Sequence, residues 1–156
     1  MPVIRSKVFL AGLCTFALAG CLEPGEPHLQ ALDTVAPQLV ETTPDAESLV
    51  DPEGEILVTF SERMEPRSLN AGLWLQAGNE RLATRVEIPP EPPDVPQSVA
   101  QQRPQPYTVR VKWDAPLASG AVVTLVLDTV LIDLAGNVLE GPDGGNAQRR
   151  LTFRTP

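Results

Sequence analysis

Cysteine is almost missing from this chain, and the two that occur, Cys14 and Cys21, both lie near its start. With Cys14 inside an apolar run and Cys21 just behind it, no disulfide can staple the folded body, even in an oxidising compartment. Histidine is equally scarce. The one residue, His28, sits among Pro24, Gly25 and Pro27, where it reads as a solvated linker residue. A chain with no free thiol and one linker imidazole lacks the usual nucleophile–base pairs of covalent catalysis. No HExxH, CxxC, phosphate-loop or GxGxxG spacing is present either. Positive charge is short: 12 Lys and Arg face 20 Asp and Glu, a formal net charge of −8. That balance disfavours nucleic acid and anionic lipid surfaces as partners. Long hydrophobic runs are absent too. The longest, Val8–Leu18, covers 11 residues, well short of the roughly 20 that a membrane-spanning helix needs.

Its flanks suggest an export role. Arg5 and Lys7 precede the run and small residues follow it, the order of a secretory signal over residues 1–20. Leu18-Ala19-Gly20-Cys21 resembles a bacterial lipobox. The resemblance implies cleavage before Cys21, a diacylglycerol on its sulfur and an acyl chain on its new amino group. Two or more such chains hold a protein on a bilayer where one is marginal. Loss of Arg5 and Lys7 would leave ten basic against twenty acidic residues, a formal charge of −10. Leu22 stands where enteric lipoproteins retained at the inner membrane carry Asp, so the resemblance points to the outer membrane. Residues 21–36 read as lipidated Cys plus flexible tether.

From Pro37 the pattern becomes that of strands. The centre is Val50–Asn70, where Ile56, Val58 and Phe60 alternate with Leu57 and Thr59 behind an Asp51-Pro52-Glu53-Gly54 turn. Glu65–Leu69 then reads as one helical turn, with Pro66 where its missing N–H costs nothing. Seven strands are expected: Gln38–Thr42, Glu55–Phe60, Leu73–Gln76, Arg81–Ile88, Tyr107–Trp113, Ala121–Leu127 and Gln148–Arg154. Gly78 and Asn79 supply positive φ in the hairpin turn after the third. Pro89–Pro106 holds seven prolines in 18 residues, too dense for a ladder, and reads as a solvated polyproline-biased insertion. Regular turn signals and no helix of crossover length argue for an all-β, antiparallel two-sheet sandwich over residues 37–156.

Several stretches resemble the bacterial Ig-like domain of the type named for the S-layer protein SbsA. They are Thr43–Ala46, Val50–Pro52, Ile56–Glu62, Met64-Glu65, Leu69, Pro116–Gly120, Asp133–Asn137 and Thr152–Thr155. Arg63 stands where the family usually has Pro, and Ala121-Val122-Val123 where it usually has an aromatic residue. The resemblance implies an Ig-like fold in an envelope module, with no catalytic residues to carry over.

Candidate sites are few. Asp128 and Asp133 are close in sequence, but twenty acids make such a pair expected by chance, and no enzyme activity is expected. Asp133, Asn137 and Asp143 offer loop oxygens to calcium, yet without the carboxylate density of a dedicated site. Turn chemistry accounts for them as well, with Asp133 capping its turn and Gly136 and Asn137 left-handed. Trp74 alternates out of phase with Leu73 and Leu75, so an exposed Trp74 could serve as a sugar-stacking platform; core filling competes with that reading. Apart from the lipid on Cys21, no cofactor is expected. The expectation is an envelope-anchored module with a structural, adhesion or protein-binding role toward an envelope protein or polysaccharide. Its alternatives are a carbohydrate-binding module using Trp74 and the proline-rich loop, and a calcium-stiffened spacer.

Overall fold

A computed structural model describes residues 33–90 and 105–156. The leader, Cys21, His28 and most of the proline-rich stretch lie outside the described residues. Within them the chain forms β1 (Leu39–Thr43), β2 (Glu55–Phe60), helix α1 (Pro66–Gly72), β3 (Leu73–Ala77), β4 (Glu80–Arg81), β5 (Thr84–Glu87), β6 (Tyr107–Trp113), β7 (Val122–Leu127) and β8 (Arg149–Arg154). The strands make two four-stranded sheets, ordered β1-β2-β6-β5 and β4-β3-β7-β8, and every pairing is antiparallel. No helix among the described residues is long and apolar enough to cross a membrane.

The core lies between the sheets. Ile56, Val58, Phe60, Val109 and Val111 from one sheet meet Leu73, Leu75, Val123, Leu125, Leu127 and Phe153 from the other, all buried to 1% exposure or less. These are the alternate residues of each strand, as period-2 burial requires. Met64, Leu69 and Leu131 close one end and are also fully buried. Two edges are managed differently. Beside β8, Val50 N–H donates to the Arg154 carbonyl (2.8 Å) and Arg154 N–H to the Ser48 carbonyl (3.1 Å), so the 47–50 segment occupies that edge. Among the described residues no strand pairs with the far edge of β1, where Glu140 N–H bonds the Pro37 carbonyl just ahead of it (2.8 Å) and Val40 is exposed.

The stretch Arg81–Ile88, which alternation alone reads as one strand, is divided between the sheets. Glu80–Arg81 pairs with β3, and Thr84–Glu87 pairs with β6; the sandwich therefore has eight strands rather than seven. Leu82 N–H still bonds the Leu75 carbonyl of the first ladder (2.9 Å), and one residue later the Ala83 carbonyl accepts from Asp114 N–H of the other (3.2 Å). Leu82, Val86 and Ile88 nevertheless all pack on the same core. A chain crossing between facing sheets keeps its inward parity while exchanging its partners, and parity is all that alternation encodes.

Helix α1 runs to Gly72, longer than the single turn expected. Glu65 caps it, its carboxylate accepting from Ser68 N–H at 2.9 Å, and Pro66 occupies the first turn. Its last residue explains the close packing: a Cβ on Gly72 would stand 2.7 Å from Leu131 Cγ and 2.9 Å from its Cδ2. In the two turns where positive φ was expected of a Gly and an Asn, only the glycines adopt it, Gly78 at 58° and Gly136 at 93°. Urea unfolding checks the packing. Phe153→Ala should lower stability by about 3–5 kcal/mol through the cavity it leaves, and Gly72→Ala by about 1–3 kcal/mol through overpacking against Leu131.

Candidate functional site

Two places in the sandwich gather polar side chains. The first is the corner where α1 meets the 128–139 loop. The Glu65 N–H bonds the Ile132 carbonyl (2.9 Å), and Met64 bridges Asp133. Ser68 Oγ donates to the Glu65 carbonyl (2.8 Å) and takes the Ile132 N–H (3.2 Å). Asp133, 2% exposed, is the buried anchor of this loop. One of its oxygens accepts from Ala135 N–H and Asn137 N–H, both at 2.8 Å, and the other from Asn137 Nδ2 at 2.7 Å. Three donors to one carboxylate compensate its loss of water. The expected side-chain cap by Asp133 is thus present, although Asn137 serves it as donor and not as a left-handed residue.

Asp33 and Glu62 join Asp133 here, with one oxygen of each within 4.8 Å of the others. The Asn137 amide also donates to the Asp33 carbonyl (3.1 Å). A divalent cation could draw on these three carboxylates, though calcium takes six to eight oxygens and Asp133 already receives three N–H groups. Asp143 is exposed on another turn and is not part of the cluster. Asp128 is not part of it either: its carboxylate holds Val130 N–H (3.3 Å) and Gln148 Nε2 (3.0 Å). Sequence spacing could not find Asp33 or Glu62, which reach Asp133 only through the fold. Burial, followed by the charges of Asp33 and Asp133, pushes the Glu62 carboxyl above its ordinary value of 4.5.

The second place is the outer face of the β4-β3-β7-β8 sheet. Trp74 is half-buried rather than freely exposed, and the Arg81 guanidinium lies 4.8 Å from the centroid of its ring. Arg81 pairs with Gln76 across the hairpin, which makes Trp74 its diagonal neighbour, within reach of long side chains. Hairpin register was the signal for that stack. Trp113, by contrast, points toward the other sheet's core side, where it is half-buried and donates its indole N–H to the Pro52 carbonyl at 2.6 Å.

An all-β sandwich of two antiparallel sheets without a disulfide is an Ig-like architecture. The family profile described as "Bacterial Ig-like domain" matches residues 33–155, and the chain belongs to that family. Domains of this family are typically non-enzymatic, and membership points to an extracellular or envelope-associated protein. No curated protein matches the chain in sequence. Among solved structures, PcoC, a methionine-rich copper resistance protein from Escherichia coli, is similar at 16% identity and a TM-score of 0.51, over 78% of this chain and 100% of that one. The N-terminal part of the bacterial S-layer protein SbsC is similar at 18% identity and a TM-score of 0.46, over 78% of this chain and 24% of that one. The likeness to PcoC is one of fold. This chain has two methionines, and Met64 is fully buried in the core.

The acidic corner yields a signed pH dependence. The raised folded value means that Glu62 favours its protonated form in the native state. Its stabilising contribution is fully present below the ordinary Glu range and is lost as pH rises through the raised value. Glu62→Gln should therefore leave the melting temperature unchanged in acid and raise it by a few degrees near neutral pH, measured by thermal scans across pH. Asp133→Ala should cost about 3 kcal/mol in urea at neutral pH, because it orphans the donors on Ala135 and Asn137.

Proposed function

We propose that this protein is an exported lipoprotein whose single Ig-like module is moored to the cell envelope through acyl chains on Cys21. The module's role is structural or adhesive: it holds or binds an envelope component through strand edges and loops. The observation that carries this reading is positional. Leu18-Ala19-Gly20-Cys21 follows an export-type leader and stands a short tether ahead of residue 33, where the Ig-like domain begins. Acyl chains buried at about 0.8 kcal/mol per CH₂ give lasting attachment once two or more are present. Outer-membrane residence follows from Leu22 on the same reasoning. The edge at β1, unpaired among the described residues and with Val40 exposed, offers the backbone groups through which such modules can pair with another chain.

Glycan binding is the second reading, favoured by the placement of Trp74 on the outer face of a sheet beside Arg81. Calcium stiffening draws on the cluster of Asp33, Glu62 and Asp133, which offers fewer oxygens than the six to eight calcium takes. Mass spectrometry of the protein recovered from membranes tests the anchor. A mature N-terminus at Cys21 carrying diacylglycerol and an amide-linked acyl chain is expected, and Cys21→Ser should abolish both and release the protein from the membrane fraction. An unmodified mature N-terminus in the native chain would remove the reading.

A further inference from the structure

Among the described residues the ion pairs of strand cations all lie on one sheet, although Arg110 of β6 on that sheet has none. On the β1-β2-β6-β5 sheet, Lys112 reaches Glu87 (3.0 Å) and Glu55 (3.5 Å), and Arg85 reaches Asp114 (3.2 Å). On the other sheet, Arg81, Arg150 and Arg154 are all exposed, and among the described residues none has a carboxylate within ion-pair distance. Strand parity puts these three on one face. Leu75, Leu125 and Phe153 point into the core, so Trp74, Gln76, Val122, Thr124, Val126, Arg150, Thr152 and Arg154 point away from it. Arg81 joins that face through its register with Gln76. Its neighbour Glu80 has the opposite parity. The outer face of β4-β3-β7-β8 therefore carries no acidic side chain from its own strands. Acidic residues border it, Glu47 where its N–H bonds the Thr152 carbonyl (2.6 Å) and Asp128 through Gln148, which accepts from Arg150 Nε (3.1 Å); in a chain of net charge −8 the face between them is basic.

We propose that this face binds an anionic polysaccharide, whose carboxylate or phosphate groups are held by Arg81, Arg150 and Arg154 around Trp74. The inference deepens the glycan-binding reading and rests on it. A guanidinium held over an indole is restrained in position, and its planar fork of N–H groups suits two-point binding of an oxyanion. Arg150 and Arg154 are four residues apart on one strand, about 13 Å, and Arg81 lies three strands away, about 14 Å. No small anion spans those distances. A polymer bearing repeated charges does, and each further contact then forms within an already bound chain.

Between the arginines the surface suits hydroxyl groups rather than a protein. Gln76, Thr124 and Thr152 stand in register across β3, β7 and β8, an amide and two hydroxyls in a row continuous with Arg81. Val126 is fully buried between the flanking Trp74 and Arg150 positions. Among the described residues the exposed large aliphatic side chains on this face are Val122 and, on the added edge segment, Leu49, which flank Arg154 at one end and leave the Gln76–Thr124–Thr152 row polar.

Dextran derivatives on one backbone test the proposal: carboxymethyl dextran, dextran phosphate and unmodified dextran, with the full chain and affinity read by titration at low and high salt. Binding to at least one charged dextran, weakening with salt, is expected, and the two charged arms tell carboxylate from phosphate. Arg150→Gln with Arg154→Gln should weaken it about tenfold or more, the worth of a lost charge-assisted contact. Arg67→Gln with Arg110→Gln removes the same charge from elsewhere on the surface and should change affinity by less than about twofold. Four outcomes would overturn the proposal: no binding to either charged dextran, equal loss in the two double variants, polyglutamate bound as tightly as the charged dextrans, or unmodified dextran bound as tightly. The last leaves glycan binding through Trp74 standing while removing the anionic requirement, so the two readings fail separately.

Discussion

Two sheets can be held face to face in this chain only by what they bury, because neither contains a cysteine that could link them. Phe60 and Phe153, Ile56 and Leu125, Val58 and Leu75 exclude water completely, and at roughly 25 cal/mol per Å² of apolar surface removed from water this burial is the dominant favourable term. Everything else is subordinate to keeping that interface closed. The strand switch at Leu82–Ala83 lets one segment serve both ladders while feeding Leu82, Val86 and Ile88 into the same interior. Helix α1 seals one end because Gly72 lets Leu131 approach closer than any Cβ would permit.

Closure also explains why two distant stretches of sequence belong together. The segment from Ile56 to Glu65 carries Met64 near its end, and Met64 bridges Asp133 of the Asp-Leu-Ala-Gly-Asn loop. Ser68 hydroxyl and Glu65 N–H tie the helix start to Ile132, and Asp133 satisfies the loop's own donors from inside. Buried polar groups with every partner in place fix one arrangement, and no side-chain polar atom buried among the described residues is left without a hydrogen bond. Glu62 sits at the margin of this network facing two other carboxylates, which is where the protein accepts electrostatic discomfort in exchange for the loop's position.

Net charge gives a poor picture of this surface. A total of −8 disfavours polyanionic partners on average. Yet among the described residues the sandwich pairs Lys112 and Arg85 with carboxylates on one sheet and gathers three arginines without them on one face of the other. Sorting of this kind follows from parity. Arg81, Arg150 and Arg154 share an outward direction only because their strands are aligned by β3 and β7 between them.

Alternation of apolar side chains was sufficient to determine the all-β class, the inward faces of β2, β6 and β7, and the absence of a disulfide, since these depend on local period and on composition. The Asp133 cap was legible for the same reason, its donors lying within four residues. Tertiary structure alone decided that Arg81–Ile88 divides between two sheets, that Asp33 and Glu62 crowd Asp133, and that Trp74 lies under Arg81 on a face shared with Arg150 and Arg154. Each of those depends on which strand lies beside which. Parity along a strand records only whether a side chain faces in or out, and the neighbour it meets is set by how the sheets close.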